Sequence, residues 1–207
     1  MAKKKQTDVK RWASFKSGDD LALAVIYSEH AEILYKYGLK FTANQKLIED
    51  TIHDLFIDLI RSRKTLGETD NILYYLLKSF RRKLIRQVHG ESRYGEDLAQ
   101  EVEFGVHYSI EQEIISEEHR SHVSRELQQA IEQLSPRQKE AIYLKFTKGL
   151  DYQEISEILG MGVEASRNLI YRAIKSLKEI LTDDPNLLLI FLLKRKISSS
   201  LKKVQLF

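Results

Sequence analysis

Apolar residues recur every three or four positions through most of the chain. Leu23, Ile26, Tyr27, Ala31 and Leu34 form one series, Ile48, Ile52, Leu55, Phe56 and Leu59 a second, and Leu73, Leu76, Leu77, Phe80 and Leu84 a third. This interval places each series on one side of an α-helix, so three or four helices are predicted over residues 19–89. Asn44 and Asp70 each precede an apolar series and suit the N-cap position, where a short polar side chain accepts from a backbone N–H. Thr65 to Thr69 reads as the loop between two of the helices. Residues 91–110 carry Gly90, Gly95 and Gly105 at their edge and within them but no sustained period, which predicts a linker rather than a packed element.

Helical spacing resumes at Val123, Leu127, Ala130, Ile131 and Leu134. Ser135, Pro136 and Gln138 then make a capping box with proline at the first helical position, so a new helix starts at Pro136 and should stop near Gly149. Asp151 and Glu154 form a second capping box. A short helix over about 152–159, a turn at Gly160-Met161-Gly162 and a long helix over about 163–181 follow. That order is the helix-turn-helix plan, whose second helix enters the major groove of DNA. Ile155, Leu159, Met161, Leu169, Ile170, Ala173, Ile174 and Leu177 are predicted to face inward, with Ser156 at a close helix crossing. Glu164, Ala165, Arg167, Asn168, Tyr171, Arg172 and Lys175 fall on the opposite side and offer groups that bond base edges or phosphates. A helical hairpin with a solvated basic face has the same pattern.

Composition narrows the chemistry. The 207 residues include no Cys, two Pro and nine Gly, which excludes disulfide frameworks and thiol nucleophiles and disfavours an all-β fold. The six His form no recognised metal spacing and no phosphate-binding glycine loop is present, so no catalytic residue, metal or cofactor is predicted. The start of the chain carries no apolar run, and Leu187 to Leu193 falls short of the roughly 20 residues a membrane span requires. A cytoplasmic setting without membrane insertion is expected. The net charge of +3 conceals strong segregation: six Lys/Arg against one acid in residues 1–16, eight against two in 61–86, and nine acids against Arg93 in 91–118, a net −8. Basic blocks flanking an acidic one fit a polyanion-binding protein, and they also fit solvated faces. Tyr74, Tyr75 and Phe80 alternate with Lys78, Arg81, Arg82, Lys83 and Arg86, a mixture suited to stacking on unpaired bases or, equally, to a core stripe beside a charged one.

These segments resemble the sigma-70 superfamily of bacterial RNA polymerase initiation factors, in particular its small extracytoplasmic-function group. Ser17 to Tyr27 resembles the opening helix of the group's region two, with Gly18, Asp19, Ala22 and Tyr27 in place and Leu23 where Phe is commoner. Ile48 to Phe56 is similar to the polymerase-binding helix usually written Ala-Glu-Asp-Leu-Val-Gln-Glu-Val-Phe, with His53 in place of Gln. Tyr75 to Arg86 resembles the promoter-melting helix, with Arg82 where Asn is usual and Arg86 where Asp or Asn is common. Leu134 to Ala141 resembles the start of region four and Asp151 to Lys178 its helix-turn-helix, with Ser166 where Val is usual.

The resemblance implies an all-α protein of two small helical domains: residues 1–90, an acidic linker at 91–122, a helix-turn-helix domain at 123–182 and an extension at 183–207. It implies that Asp50, His53 and Asp54 meet core RNA polymerase, that Tyr75, Lys78, Arg81, Arg82 and Arg86 hold the minus-10 element of promoter DNA as it melts, and that Glu164, Arg167, Asn168, Arg172 and Lys175 read the minus-35 element as duplex. The acidic linker would occupy a positively charged polymerase channel. The other reading is a stand-alone helix-turn-helix repressor or activator with an N-terminal dimerisation or sensing domain. For the extension, Leu187 to Leu193 followed by Lys194-Arg195-Lys196 leaves three roles open: an extra packed helix, a docking surface for an inhibitory anti-sigma partner, or a membrane-surface contact.

Overall fold

A computed structural model describes residues 2–89, 103–105 and 128–181, and among these residues all regular structure is helical. The expectations for the rest of the acidic segment, for residues 123–127 and for the extension lie outside the described residues. The chain divides into two compact units, Met1–Leu98 and Ala99–Phe207.

The first unit begins with a helix that the apolar periodicity did not announce, α1 (Ala2–Ser17). Its cations dominate the local composition, but Asp8, Trp12 and Phe15, spaced by four and three residues, are buried along one side. The Trp12 ring lies 5.4 Å from Phe15 and 4.9 Å from Tyr75, and its Nε1–H donates to the Gly67 carbonyl at 2.8 Å. Asp8 accepts from the Ile72 amide at 3.3 Å. The outward cations meet acids of other segments, Lys5 with Asp70 at 2.6 Å, Arg11 with Glu29 at 2.5 Å and Lys16 with Glu68. Such exposed pairs each contribute at most about 1 kcal/mol, so the buried Trp12 supplies most of the hold on this helix.

Asp19 accepts from the Leu21 and Ala22 amides and starts α2 (Asp20–Gly38). Asn44, as expected, accepts from Leu47 at 3.1 Å and starts α3 (Gln45–Ser62). The last helix of the unit, α4 (Ile72–His89), is capped by Asn71, which accepts from Tyr74 at 3.2 Å, and not by Asp70, whose carboxylate is drawn to Lys5. Ile26, Leu34, Tyr37, Ile48, Leu55, Leu76, Leu77, Phe80 and Leu84 form the core. At Gly38 a Cβ would lie 2.7 Å from Ile48 Cγ2 and 3.1 Å from Phe80 Cζ, so only hydrogen fits where α2 ends against α3 and α4. Thr51 bonded to Gln87, and Lys83 paired with Asp58 at 2.6 Å, tie α3 to α4.

The second unit opens its described part with Phe104, 98% removed from solvent and 5.8 Å from the ring of Tyr143. The stretch expected to be unpacked therefore contains an apolar anchor. Ala130, Ile131 and Leu134 are buried before Ser135, whose capping box with Gln138 starts α5 (Pro136–Ile142) as expected. The helix continues toward Gly149 in a π-helical turn over Tyr143–Thr147, closed by Lys148 N–H to Tyr143 C=O at 3.2 Å. Asp151 and Glu154 then cap α6 (Tyr152–Leu159), and α7 (Val163–Ile180) follows the turn.

Two outcomes follow for the first unit. Trp12→Ala empties a fully buried site and leaves the Gly67 carbonyl without its donor, so urea unfolding followed by circular dichroism should show a loss of about 3–5 kcal/mol; a loss below about 1 kcal/mol would mean that α1 is not held by this residue. His30 is buried with Nδ1–H donating to the Ile26 carbonyl at 2.8 Å, and burial lowers its pKa despite that bond and the nearby Glu29 and Asp8 charges. Below the ordinary value of 6.5 the unfolded chain takes up a proton that the folded chain refuses, so stability should decline as pH falls through that value. The His30→Gln variant should show a flatter dependence of unfolding free energy on pH.

Candidate nucleic-acid interface

The geometry of the second unit rests on small residues at the crossing of α6 and α7. Ile155, Ser156, Ile158 and Leu159 of α6 and Ser166, Ile170, Ala173 and Leu177 of α7 are buried, while Met161, Leu169 and Ile174, expected inside, are half-buried. Ser166 is fully buried and donates to the carbonyls of Tyr152 at 3.0 Å and Val163 at 2.8 Å. A hydroxyl thus replaces the expected apolar contact with a bond that fixes the start of α7 beside the start of α6. Gly160 adopts φ +64°, ψ 45°, and the Met161 amide reaches back to Ser156 C=O at 2.9 Å, which turns the chain sharply. Arg137 of α5 donates to the Leu159 carbonyl at 3.4 Å, at the negative end of α6.

The opposite face of α7 is open. Glu164, Ala165, Arg167, Asn168, Tyr171, Arg172 and Lys175 are all exposed, Tyr171 to 68%. Arg167 pairs with Glu164 at 3.3 Å and lies over the Tyr152 ring with Cζ 5.6 Å from its centroid. Arg172 Nε donates to Asn168 C=O at 3.4 Å, and Lys175 pairs with Glu179 at 3.7 Å. These exposed pairs each contribute at most about 1 kcal/mol.

On α4, the residues implied as minus-10 contacts divide between two faces. Lys78, Arg82 and Arg86, spaced by four, are exposed and form a cationic row. Arg81 is only 5% exposed and belongs to the packed side, because its position one residue before Arg82 rotates it by about 100° toward the core. Tyr75 is half-buried on Trp12; burial raises its phenol pKa, against a hydrogen bond with Ser79 and the charge of Lys78. Tyr74 heads the cationic row instead, with Lys78 Nζ 3.2 Å from its hydroxyl and 5.6 Å from its ring centroid. Phe80 is core. Tyr74 and Tyr75 are both half-buried, Tyr75 against Trp12 of α1, a helix that the apolar periodicity did not announce.

On α3, Asp50, His53 and Asp54 are exposed together with Glu49. Beside them, a shallow cavity of about 260 Å³ is lined by Tyr27, Ala31, Glu32, Tyr35, Glu49 and Ile52. Among the described residues no three His, Asp or Glu side chains gather as metal ligands, and no helix is long and apolar enough to cross a membrane.

Residues 124–177 match the family described as sigma-70, region 4. The ECF RNA polymerase sigma factor BldN of Streptomyces coelicolor is 25% identical over 175 residues, 81% of this chain, and the chain spans 63% of that relative's length. Among solved structures, CnrH, captured with the cytosolic domain of CnrY, is similar at a TM-score of 0.56 and 18% identity over 86% of this chain and 98% of that one. The sigma factor RpoE of Bartonella quintana, captured with the anti-sigma factor NepR, is similar at a TM-score of 0.51 and 17% identity over 80% of this chain and 97% of that one. At these identities the two structures bear on the fold alone.

The two glycines of the turn are not equivalent. Gly160→Ala forces a Cβ into the left-handed region and should cost about 1–2 kcal/mol. Gly162 starts α7 at φ −71°, ψ 154° with open space around it and no side-chain cap, so Gly162→Ser should hold or raise stability by a few tenths of a kcal/mol. Thermal unfolding of the two variants in parallel checks the contrast, and equal losses would refute it.

Proposed function

We propose that the chain, whose residues 124–177 match sigma-70 region 4, is a member of the sigma-70 superfamily, in its extracytoplasmic-function group, and a transcription initiation factor that binds core RNA polymerase, directs it to promoters and assists strand separation. The observation that carries the reading is the open face of α7, where Arg167, Asn168, Arg172 and Lys175 stand on a helix locked from beneath by Ser166. In this reading the second unit holds the minus-35 element as duplex, and a bidentate arginine contact there discriminates between bases by about 1–3 kcal/mol. The row Lys78, Arg82 and Arg86 of α4 follows the minus-10 backbone, with Tyr74 placed to meet an unstacked base. Asp50, His53 and Asp54 meet the polymerase. The acidic segment lies in a positively charged channel of that enzyme, and the protein works in the bacterial cytoplasm without a cofactor or chemistry of its own. A partner of the anti-sigma class belongs to the same proposal.

Transcription reconstituted with purified core polymerase on a promoter library tests the proposal: promoter selection should appear only when chain and core are combined. Tight selective binding to duplex by the chain alone would favour a stand-alone repressor or activator. Asp50→Ala with Asp54→Ala should weaken capture of core enzyme without changing helicity, and undiminished capture would remove the docking role from α3. Arg167→Ala with Arg172→Ala should lower occupancy of the upstream element roughly tenfold or more and flatten its salt dependence, both read by footprinting.

A further inference from the structure

The open face of α7 is not held by α7 alone. Tyr152, the first residue of α6, is half-buried, and two cations from different elements lie over its ring. Lys145 of the π-helical turn has Nζ 4.1 Å from the ring centroid and donates to the Leu150 carbonyl at 3.2 Å. Arg167 of α7 has its guanidinium carbon 5.6 Å from the same centroid. The backbone beneath is tied as well, since Ser166 Oγ, from the residue next to Arg167, donates to the Tyr152 carbonyl at 3.0 Å. The aromatic face is electron-rich, and a guanidinium within about 6 Å of it is attracted while its edge N–H groups remain free. A long side chain on an exposed helix face otherwise spreads over many rotamers, all but one of which must be given up on binding.

We propose that Tyr152 is a positioning residue for Arg167: it presents the guanidinium in one orientation to duplex DNA without itself touching a base. The inference rests on the reading of α7 as the duplex-contacting helix. Lys145, anchored to the loop carbonyl, fixes the ring against rotation. Glu164, bonded to Arg167 at 3.3 Å, holds the guanidinium in the free protein and releases it when a phosphate or base edge takes its place.

The test uses the full chain combined with core polymerase and, as probe, an upstream duplex selected by the wild-type complex from a randomised pool, together with its single-base-pair variants. Tyr152→Leu should lower affinity about two- to fivefold, as expected for one exposed cation–π contact, and should flatten the preference at the same base pairs that Arg167→Ala flattens. Tyr152→Phe keeps the ring and should retain wild-type affinity and preference. In the Arg167→Ala background, Tyr152→Leu should change nothing further. Tyr152→Met, apolar and of similar reach but without a π face, repeats the measurement should the Leu variant melt early. Additive losses in the double variant, or a Leu variant with unaltered preference, would overturn the positioning role while leaving the duplex-contacting helix in place. An Arg167→Ala protein with wild-type affinity and preference would instead overturn the reading of the face, and the positioning role with it.

Discussion

The leading amide N–H groups of an α-helix have no acceptor inside it, and in this protein side chains supply one at most of the described helix starts. Asp19, Asn44, Asn71, Ser135 and Asp151 each supply a side-chain oxygen, and Asp8 reaches from α1 to the Ile72 amide. Each cap is worth only about 1 kcal/mol. Their larger effect is on register, because a helix started one residue later presents every side chain about 100° further round.

Close crossings do the rest. Gly38 lets α2 end against α3 and α4, and Ser156 and Ser166 do the same between α6 and α7. Because buried polar groups require partners, the hydroxyl of Ser166 adds direction to this closeness, which a methyl group in its place would not. Rigid packing on one side is what leaves the opposite side free to carry charge without a structural duty: cations on α4 and α7, acids on α3.

Much of this was legible in the residues. Apolar spacing gave α2, α3 and α4, and the paired caps Ser135/Gln138 and Asp151/Glu154 gave the starts of α5 and α6, since local hydrogen bonding of this kind is written in a few adjacent positions. What escaped depends on distant partners. The six cations of residues 1–16 masked the three buried side chains of α1, and without α1 nothing could show that Tyr75 would be covered and Tyr74 left beside Lys78. Asp70 and Asn71 are both good caps; Asn71 caps the helix, while Asp70 pairs with Lys5, 65 positions away. Phe104 hid among acids in the same manner. The meeting of Lys145 and Arg167 on Tyr152 joins three elements, so no window of sequence contains it.

The π-helical turn at Tyr143–Thr147 is, in chain-length terms, a helix holding one residue more than its rise requires. Relatives that lack the extra residue would close the same span as plain α-helix and turn everything before it by about 100° relative to everything after. Lys145 would then leave the ring of Tyr152, or Tyr143 would leave Phe104. A single-position gap at this place in an alignment would therefore record a change in helical phase, and a homologue carrying it should show a compensating replacement at residue 104 or at residue 152.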